Sequence, residues 1–153
     1  MSLRITIEEN YKIAIKSKNT NEVNTLRLIK SAIKDKDIAL RSRNNENITS
    51  DPEILSLLQN LIKQRKDSID AFKIASRDDL VANEQAEIDI ISKFLPQQKN
   101  EVETENIIEL IIEKNSLHAL KDMGRLMNEL RVNHSGSVDM ALAGKIAKSK
   151  LAN

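Results

Sequence analysis

The sequence contains no cysteine and no tryptophan, and its 153 residues include only three glycines, two prolines, one tyrosine and two phenylalanines. Without cysteine the chain cannot form a disulfide, a thiolate zinc site or an iron–sulfur cluster, and it has no thiol nucleophile. The scarcity of glycine and proline leaves few residues for the tight turns of a sheet or for a phosphate-binding loop. Leucine, isoleucine, lysine, glutamate and asparagine are abundant, so the composition predicts an all-α protein.

Long apolar runs are also missing, because no segment approaches the roughly 20 residues that a membrane-spanning helix needs. Residues 1–6 form no cleavable hydrophobic stretch and are soon followed by Glu8 and Glu9, which argues against secretion. The formal net charge is only +1, so a site for a polyanion has to be a local patch. We therefore expect a cytoplasmic protein that has no membrane partner.

Helix caps and prolines divide the chain into seven predicted helices. They cover about residues 2–18, 21–43 and 51–75, a segment from the cap signal at 76–79 to Pro96, about 100–115, a segment from Lys121 to the turn at 135–137, and about 138–151. Proline pushes the residue before it out of the helical region, so the best domain boundary lies at Pro96. We predict an N-terminal domain of helical hairpins at 1–96 and a small three-helix domain at 97–153.

The second predicted helix carries a basic face. At about 100° per residue, Arg27, Lys30 and Lys34 cluster on one arc, away from the apolar arc of the helix. The apolar arc consists of Leu26, Ile29, Ala32, Ile33 and Leu40. From Lys12 to Arg43 the chain has nine basic residues against three acidic ones. Such a row of cations can follow a phosphate backbone. The alternative is a solvated helix face whose cations pair with nearby aspartates or with a neighbouring helix.

The last two predicted helices are net basic as well, whereas residues 101–113 carry five acids and no base. Arg125, Lys145 and Lys148 are the candidate anion-binding residues there. Lysines near the end of a helix also interact favourably with its macrodipole, which is the structural alternative. With one tyrosine and no tryptophan, stacking on bases is not expected, and a nucleic acid would be recognised by its shape and its phosphates.

Acidic residues and histidines form no complete catalytic or metal-binding pattern. Glu84 and Glu87 are three residues apart on the predicted fourth helix, but a helical metal site also needs a histidine on a facing helix. Both histidines, His118 and His134, lie in the other predicted domain. We therefore interpret the two glutamates as ion-pairing surface and predict no metal, no cofactor, no catalytic residue and no small-molecule substrate.

Several stretches in a fixed order resemble the YqeY family over nearly the whole chain. They are Thr25–Lys34, Lys66–Phe72, Arg77–Leu80, Glu84–Ile91, Phe94–Pro96, Lys121–Met127 and Gly136–Met140. The family is related to the tail domain of the GatB subunit of glutamyl/aspartyl-tRNA amidotransferase. The resemblance implies a larger helical part followed by a small three-helix part. One departure is Ala141, where the family pattern leads us to expect glycine.

The resemblance also implies a function, because the related tail helps to hold tRNA while other domains transfer the amide group. A family label of carbon–nitrogen ligase with glutamine as amido donor would then describe the complex rather than this chain. Our leading hypothesis is a tRNA-associated binding module that uses six basic residues: Arg27, Lys30, Lys34, Arg125, Lys145 and Lys148. The alternative is an adaptor that binds an amidotransferase subunit or another protein through a methionine-bearing face. Catalysis by the isolated chain is the third hypothesis.

Overall fold

The structure, a computed structural model, describes residues 2–42 and 48–152. In these ranges the chain forms seven α-helices and a single 3₁₀ turn, and it has no strand, so the all-helical class is confirmed. The α-helices are α1 (Leu3–Lys16), α2 (Thr20–Arg41), α3 (Asp51–Ile74), α4 (Asp78–Ser92), α5 (Glu101–Asn115), α6 (Met123–Asn133) and α7 (Met140–Ala152). Arg43, the last cation of the predicted basic run, lies outside the described residues.

Two helices begin at the capping boxes that the sequence predicts. At the start of α3 the Ser50 hydroxyl accepts from the backbone N–H of Glu53, whose carboxylate accepts from the backbone N–H of Ser50. Asn100 and Glu103 make the same reciprocal pair at the start of α5, at 2.8 and 3.2 Å. Each box satisfies two backbone donors that have no partner within the helix, which is why both helix starts can be read from the sequence.

Three helices end at a residue in the left-handed region, and none of the three is glycine. Lys18, Ser76 and Ser116 have φ angles of 57°, 54° and 53°. The prediction that Ser76 belongs to the cap of α4 was wrong in detail. Ser76 instead ends α3, since the next N–H, of Arg77, donates back to the carbonyl of Phe72 at 2.9 Å. Arg77 then occupies the N-cap of α4 without a side-chain hydrogen bond.

Two predicted helix boundaries shift because a turn tightens. Helix α4 ends at Ser92 rather than beside Pro96, and the N–H groups of Phe94 and Leu95 donate to carbonyls three residues back, at 3.1 Å. Before α6, residues Leu120–Asp122 form the 3₁₀ turn, so the helix itself starts at Met123. Both changes are typical of helix ends next to a proline or a side-chain-capped turn.

The first compact unit comprises Met1–Leu95. Its core is built from α1 to α4 and consists of Ile7, Ala14, Leu26, Ile29, Ile33, Ile54, Leu58 and Ile91. Burying one such side chain contributes about 1.5–3 kcal/mol, so this seam of isoleucine and leucine accounts for the packing of the four helices. The apolar arc predicted for the second helix therefore faces the core, and its basic arc is left at the surface.

The second compact unit comprises Pro96–Asn153. Its core joins α5, α6 and α7 through Ile108, Ile111, Leu117, Leu126, Leu130, Val138, Ala143, Ala147 and Leu151. The three methionines Met123, Met127 and Met140 pack against this core. They fill space between helices, as flexible thioethers often do, rather than forming an exposed face. The predicted division into domains at 1–96 and 97–153 stays a prediction.

Candidate nucleic-acid interface

A polar face of α1 lies against the basic face of α2. Arg4, Glu8 and Tyr11 occupy positions i, i+4 and i+7 of α1, so they project from one side of that helix. Arg4 contacts Asp37 near the end of α2, whereas Glu8 contacts Lys30, which lies nearer its start. From Arg4 to Glu8 along α1, the contact on α2 moves back from Asp37 to Lys30, so the two helices run antiparallel.

Asp37 closes one end of this face. Both of its carboxylate oxygens accept from the Arg4 guanidinium, at 3.0 and 3.1 Å. One of them also accepts from the backbone N–H of Thr49 at 2.8 Å and from its hydroxyl at 2.6 Å. The Arg4 bonds, followed by those from Thr49, outweigh partial burial and hold the pKa of Asp37 at about 2. Its charge is therefore neutralised within the fold, with Arg4 as the partner.

Lys30 is partly engaged by α1. Its ammonium lies 2.8 Å from Glu8 Oε2 and 4.1 Å from the centroid of the Tyr11 ring. The hydrogen bond from Lys30 is the main reason that the pKa of Glu8 is lowered, and it outweighs the opposing effect of desolvation. Of the three cations predicted on α2, Lys30 is thus the one that pairs with a neighbouring helix, which was the alternative interpretation of this face.

Arg27 and Lys34 differ from Lys30 because both are exposed and neither makes an ion pair with a described residue. The Arg27 guanidinium donates only a long hydrogen bond, 3.4 Å, to the Tyr11 hydroxyl. Together with Lys30 they line one open groove of about 390 Å³ between α1 and α2. The structure therefore brings together all three cations that the sequence singles out on this helix.

Sequence reasoning missed Arg4 and Tyr11, which line the same groove. Arg4 precedes the basic run that starts at Lys12, and a lone tyrosine was considered only as a poor stacking platform for bases. The signal that could have found them is the i, i+4, i+7 spacing with Glu8, which places a cation, an anion and an aromatic ring on one face of α1.

In the second unit, Lys145 and Lys148 lie on the outer face of α7. Both are exposed, and neither pairs with an acid among the residues that the structure describes. Lys150, on the same helix, is instead held by α5, because its ammonium lies 3.0 Å from Glu105 and 2.7 Å from Glu109. These two carboxylates, Glu109 first, raise the pKa of Lys150.

Arg125 does not share a helix with the two lysines. It is exposed on α6, and its guanidinium donates to the side-chain oxygen of Asn115 at 3.4 Å, near the end of α5. The Asn115 amide in turn donates to Glu129 at 3.0 Å. Arg125 therefore has a neutral partner and keeps its charge available, although its side chain is directed toward the end of α5.

Glu87 of α4 pairs with an arginine of α3, as the interpretation of this residue as ion-pairing surface predicts. Glu87 accepts from Nε of Arg65 at 2.8 Å, and Arg65 also donates to the Leu61 carbonyl at 2.9 Å. The Arg65 side chain is only 11% exposed, and Glu87 is the partner of its charge. In the described ranges no three acidic or histidine side chains are arranged to hold a metal ion.

Comparison with known proteins identifies the family. The YqeY family, described as Yqey-like protein, matches residues 4–151. The chain belongs to this family. The match extends over both compact units, from the second residue of α1 to the penultimate residue of α7.

Two fungal relatives share the same description, "Altered inheritance of mitochondria protein 41, mitochondrial". The Saccharomyces cerevisiae protein is 38% identical over 91 residues, which cover 60% of this chain and 47% of that protein. The Pyrenophora tritici-repentis protein is 32% identical over 133 residues, 82% of this chain and 69% of the relative. The YqeY-like chain thus spans about half the length of the yeast relatives that it matches.

The predicted cytoplasmic location is contradicted by these relatives, which are named as mitochondrial proteins. The prediction relied on the missing cysteines and on the first residues of the chain. A lack of cysteine excludes disulfides but does not distinguish one compartment from another. For residues 2–42 and 48–152, the helices are all too short or too polar to cross a membrane.

Proposed function

We propose that this YqeY-like protein is an RNA-binding module that docks on tRNA through phosphates and 2′-hydroxyls. The observation that carries the proposal is the groove between α1 and α2, where Arg27 and Lys34 are exposed without an acidic partner beside Lys30. Cations of this kind bind a phosphate backbone by releasing its counterions. Asp37, the acid that lines this groove, is already bound by Arg4.

The outer face of α7 supports the same function independently. Lys145 and Lys148 are three residues apart on an exposed helix surface, so both can reach phosphates on one side of an RNA. Arg125, on α6, adds a guanidinium that can bind a phosphate by two parallel hydrogen bonds. Each compact unit therefore contributes cations of its own.

The chain is suited to recognising the shape of a folded RNA rather than its bases. Recognition of unpaired bases usually relies on aromatic platforms, and Tyr11 already holds Lys30 against its ring. Phosphate and 2′-hydroxyl contacts need only exposed donors at suitable spacing. A tRNA offers a compact, rigid arrangement of such groups, and specificity among tRNAs would be low.

The test compares two variants that lose the same charge. Arg27→Ala/Lys30→Ala/Lys34→Ala removes the α2 cations, and Lys63→Ala/Lys66→Ala/Lys73→Ala removes three exposed lysines from α3. Filter binding with unfractionated tRNA is measured over a range of salt concentrations. The α2 variant is expected to lose affinity at least about tenfold and to lower the salt slope by about 2, because each lost phosphate contact contributes about 0.7–0.9. The α3 variant is expected to bind nearly as well as the unmodified chain.

Two results would contradict the proposal. One is failure of the unmodified protein to retain tRNA at low salt. The other is an equal loss of affinity in both triple variants, which would mean that only net charge matters. Circular dichroism of each variant confirms that the helices are retained, as expected for substitutions at the surface.

A further inference from the structure

The α1–α2 groove contains two hydroxyl groups in addition to its cations. Ser31 lies four residues after Arg27 and three before Lys34, so the three side chains project from one face of α2. The Tyr11 hydroxyl reaches into the groove from α1. Ser31 is exposed and makes no hydrogen bond to another described residue. The groove thus presents two cations without an acidic partner and two neutral hydrogen-bonding groups.

The acids near the groove do not compete for these two cations. Asp37 lines one end, but Arg4 and Thr49 occupy its carboxylate. Glu8 lies beside a neighbouring groove and holds Lys30, which lines both. An anion entering the groove would therefore meet Arg27 and Lys34 first.

We propose that this groove is a phosphate-binding site formed by Arg27, Lys34, Ser31 and Tyr11, and that Glu8 competes with the bound phosphate for Lys30. Arg27 binds two phosphate oxygens through its planar fork, and Lys34 supplies a second charge from the other end of the groove. Where the phosphate belongs to an RNA backbone, this inference rests on the proposed function. A free polyphosphate offers the same chemistry.

The hydroxyls favour a phosphate over a carboxylate. The Tyr11 oxygen accepts from Arg27, so its own proton is free to be donated to a ligand, and the Ser31 hydroxyl is free as well. A carboxylate has two oxygens and would leave some of these donors unused. A tetrahedral phosphate has enough oxygens to accept from both helices at once.

Tyr11 also orients the basic side chains of the groove, because it contacts two of the three cations on α2. Its ring lies against the Lys30 ammonium, and its hydroxyl accepts from Arg27. It is also the only tyrosine in a chain without tryptophan. Incorporation of 3-fluorotyrosine therefore gives the full-length protein one ¹⁹F signal, located at the proposed site.

The experiment follows this ¹⁹F resonance while inorganic phosphate, tripolyphosphate or unfractionated tRNA is added. Tripolyphosphate is expected to shift the resonance in a saturable way, with inorganic phosphate binding more weakly. Arg27→Ala is expected to weaken tripolyphosphate binding about tenfold, because it removes a positive charge and two parallel hydrogen bonds to the phosphate. Ser31→Ala is expected to weaken it about threefold, because it removes one hydrogen bond from an uncharged donor. Glu8→Gln is expected to tighten binding about two- to threefold by releasing Lys30. Lys63→Ala on α3 is the matched control and leaves the titration unchanged.

The outcomes separate this inference from the proposed function. If tripolyphosphate and tRNA both leave the resonance unmoved while filter binding still retains tRNA, the phosphate site is refuted and RNA binding must use other residues. If tripolyphosphate shifts the resonance but the α2 triple variant keeps its full affinity for tRNA, the phosphate site stands and the proposed RNA surface falls. Unchanged binding in both Arg27→Ala and Ser31→Ala also refutes the site.

Discussion

The two units both join neighbouring helices by ion pairs, but the pairs have different surroundings. In the first unit the Asp37 side chain is only 16% exposed, and it is bonded to Arg4 and to the backbone and hydroxyl of Thr49. In the second unit Lys150 bridges Glu105 and Glu109, which are about half exposed. The first pair is tied into the backbone, and the second is screened by water. Burial and hydrogen bonding, rather than the number of charges, set what each pair contributes.

The largest effect is expected from removing the carboxylate of the first pair. Asp37→Ala removes the carboxylate that accepts from Arg4 and from the buried Thr49, so it should lower the free energy of unfolding by about 2–3 kcal/mol. Urea denaturation measures the change. Asp35→Ala, an exposed substitution on the same helix, is the matched control and should cost under about 0.5 kcal/mol. Equal losses of unfolding free energy in the two variants would show that the hydrogen bonds accepted by Asp37 do not stabilise the fold.

Lowering the pH gives a second test of how much Asp37 contributes to stability. The folded pKa of Asp37 is about 2, below the value near 4 of an unfolded aspartate, so folding is favoured wherever the free carboxyl is ionised. This contribution is complete above about pH 5, falls as the pH drops through 4, and is lost below about 2. It amounts to about 2 kcal/mol at most. Chemical denaturation between pH 6 and 2 should show a shallower decline in Asp37→Asn than in the unmodified chain, and parallel declines would exclude Asp37 as the cause.

Helix ends offer a test in which the two units should behave alike. Ser76 in the first unit and Ser116 in the second both hold left-handed backbone, with φ near 54° and 53°. This conformation costs an L-residue about 1 kcal/mol and costs glycine less. Ser76→Gly and Ser116→Gly should each raise the thermal midpoint and increase the free energy of unfolding by about 0.5–1 kcal/mol. Ser92→Gly, at the last helical residue of α4, is expected to destabilise instead, and stabilisation there would contradict this account.

The smallest effect is expected from the ion pair of the second unit. Lys150→Ala removes two exposed contacts with α5, whereas Lys148→Ala removes none that the described residues show. Lys150→Ala should therefore be slightly less stable than Lys148→Ala at low salt, and the difference should vanish at high salt. A difference that persists in concentrated salt would mean that Lys150 acts through packing of its aliphatic chain.

Helix positions were predictable where the signal is local. The boxes at Ser50 and Asn100 combine a cap and an acid three residues apart, so neighbours in sequence are also the partners. Ser76 was misassigned because a serine before two aspartates resembles an N-cap, while the bond that decides its role runs from Arg77 back to Phe72. Competition between ending one helix and starting the next cannot be read from the cap pattern alone.

The candidate site was predictable only in part. Arg27, Lys30 and Lys34 share a face because of helical spacing alone, and in the structure they line one groove. The roles of Glu8 and Tyr11 were not predicted, because both residues belong to the preceding helix and act only after α1 has packed on α2. Binding of tRNA by these cations stays a proposal.

By itself, the sequence determined the all-helical class, the capped helix starts and the separation of apolar from basic faces, because these depend on spacing within one helix. Only the tertiary structure decided which cations keep their charge available to a ligand. Asp37 meets Arg4 across 33 residues and Glu109 meets Lys150 across 41, and such partners become neighbours only when the helices pack. A charge is neutralised by what lies within about 4 Å of it in space, and the order of residues along the chain does not specify that distance.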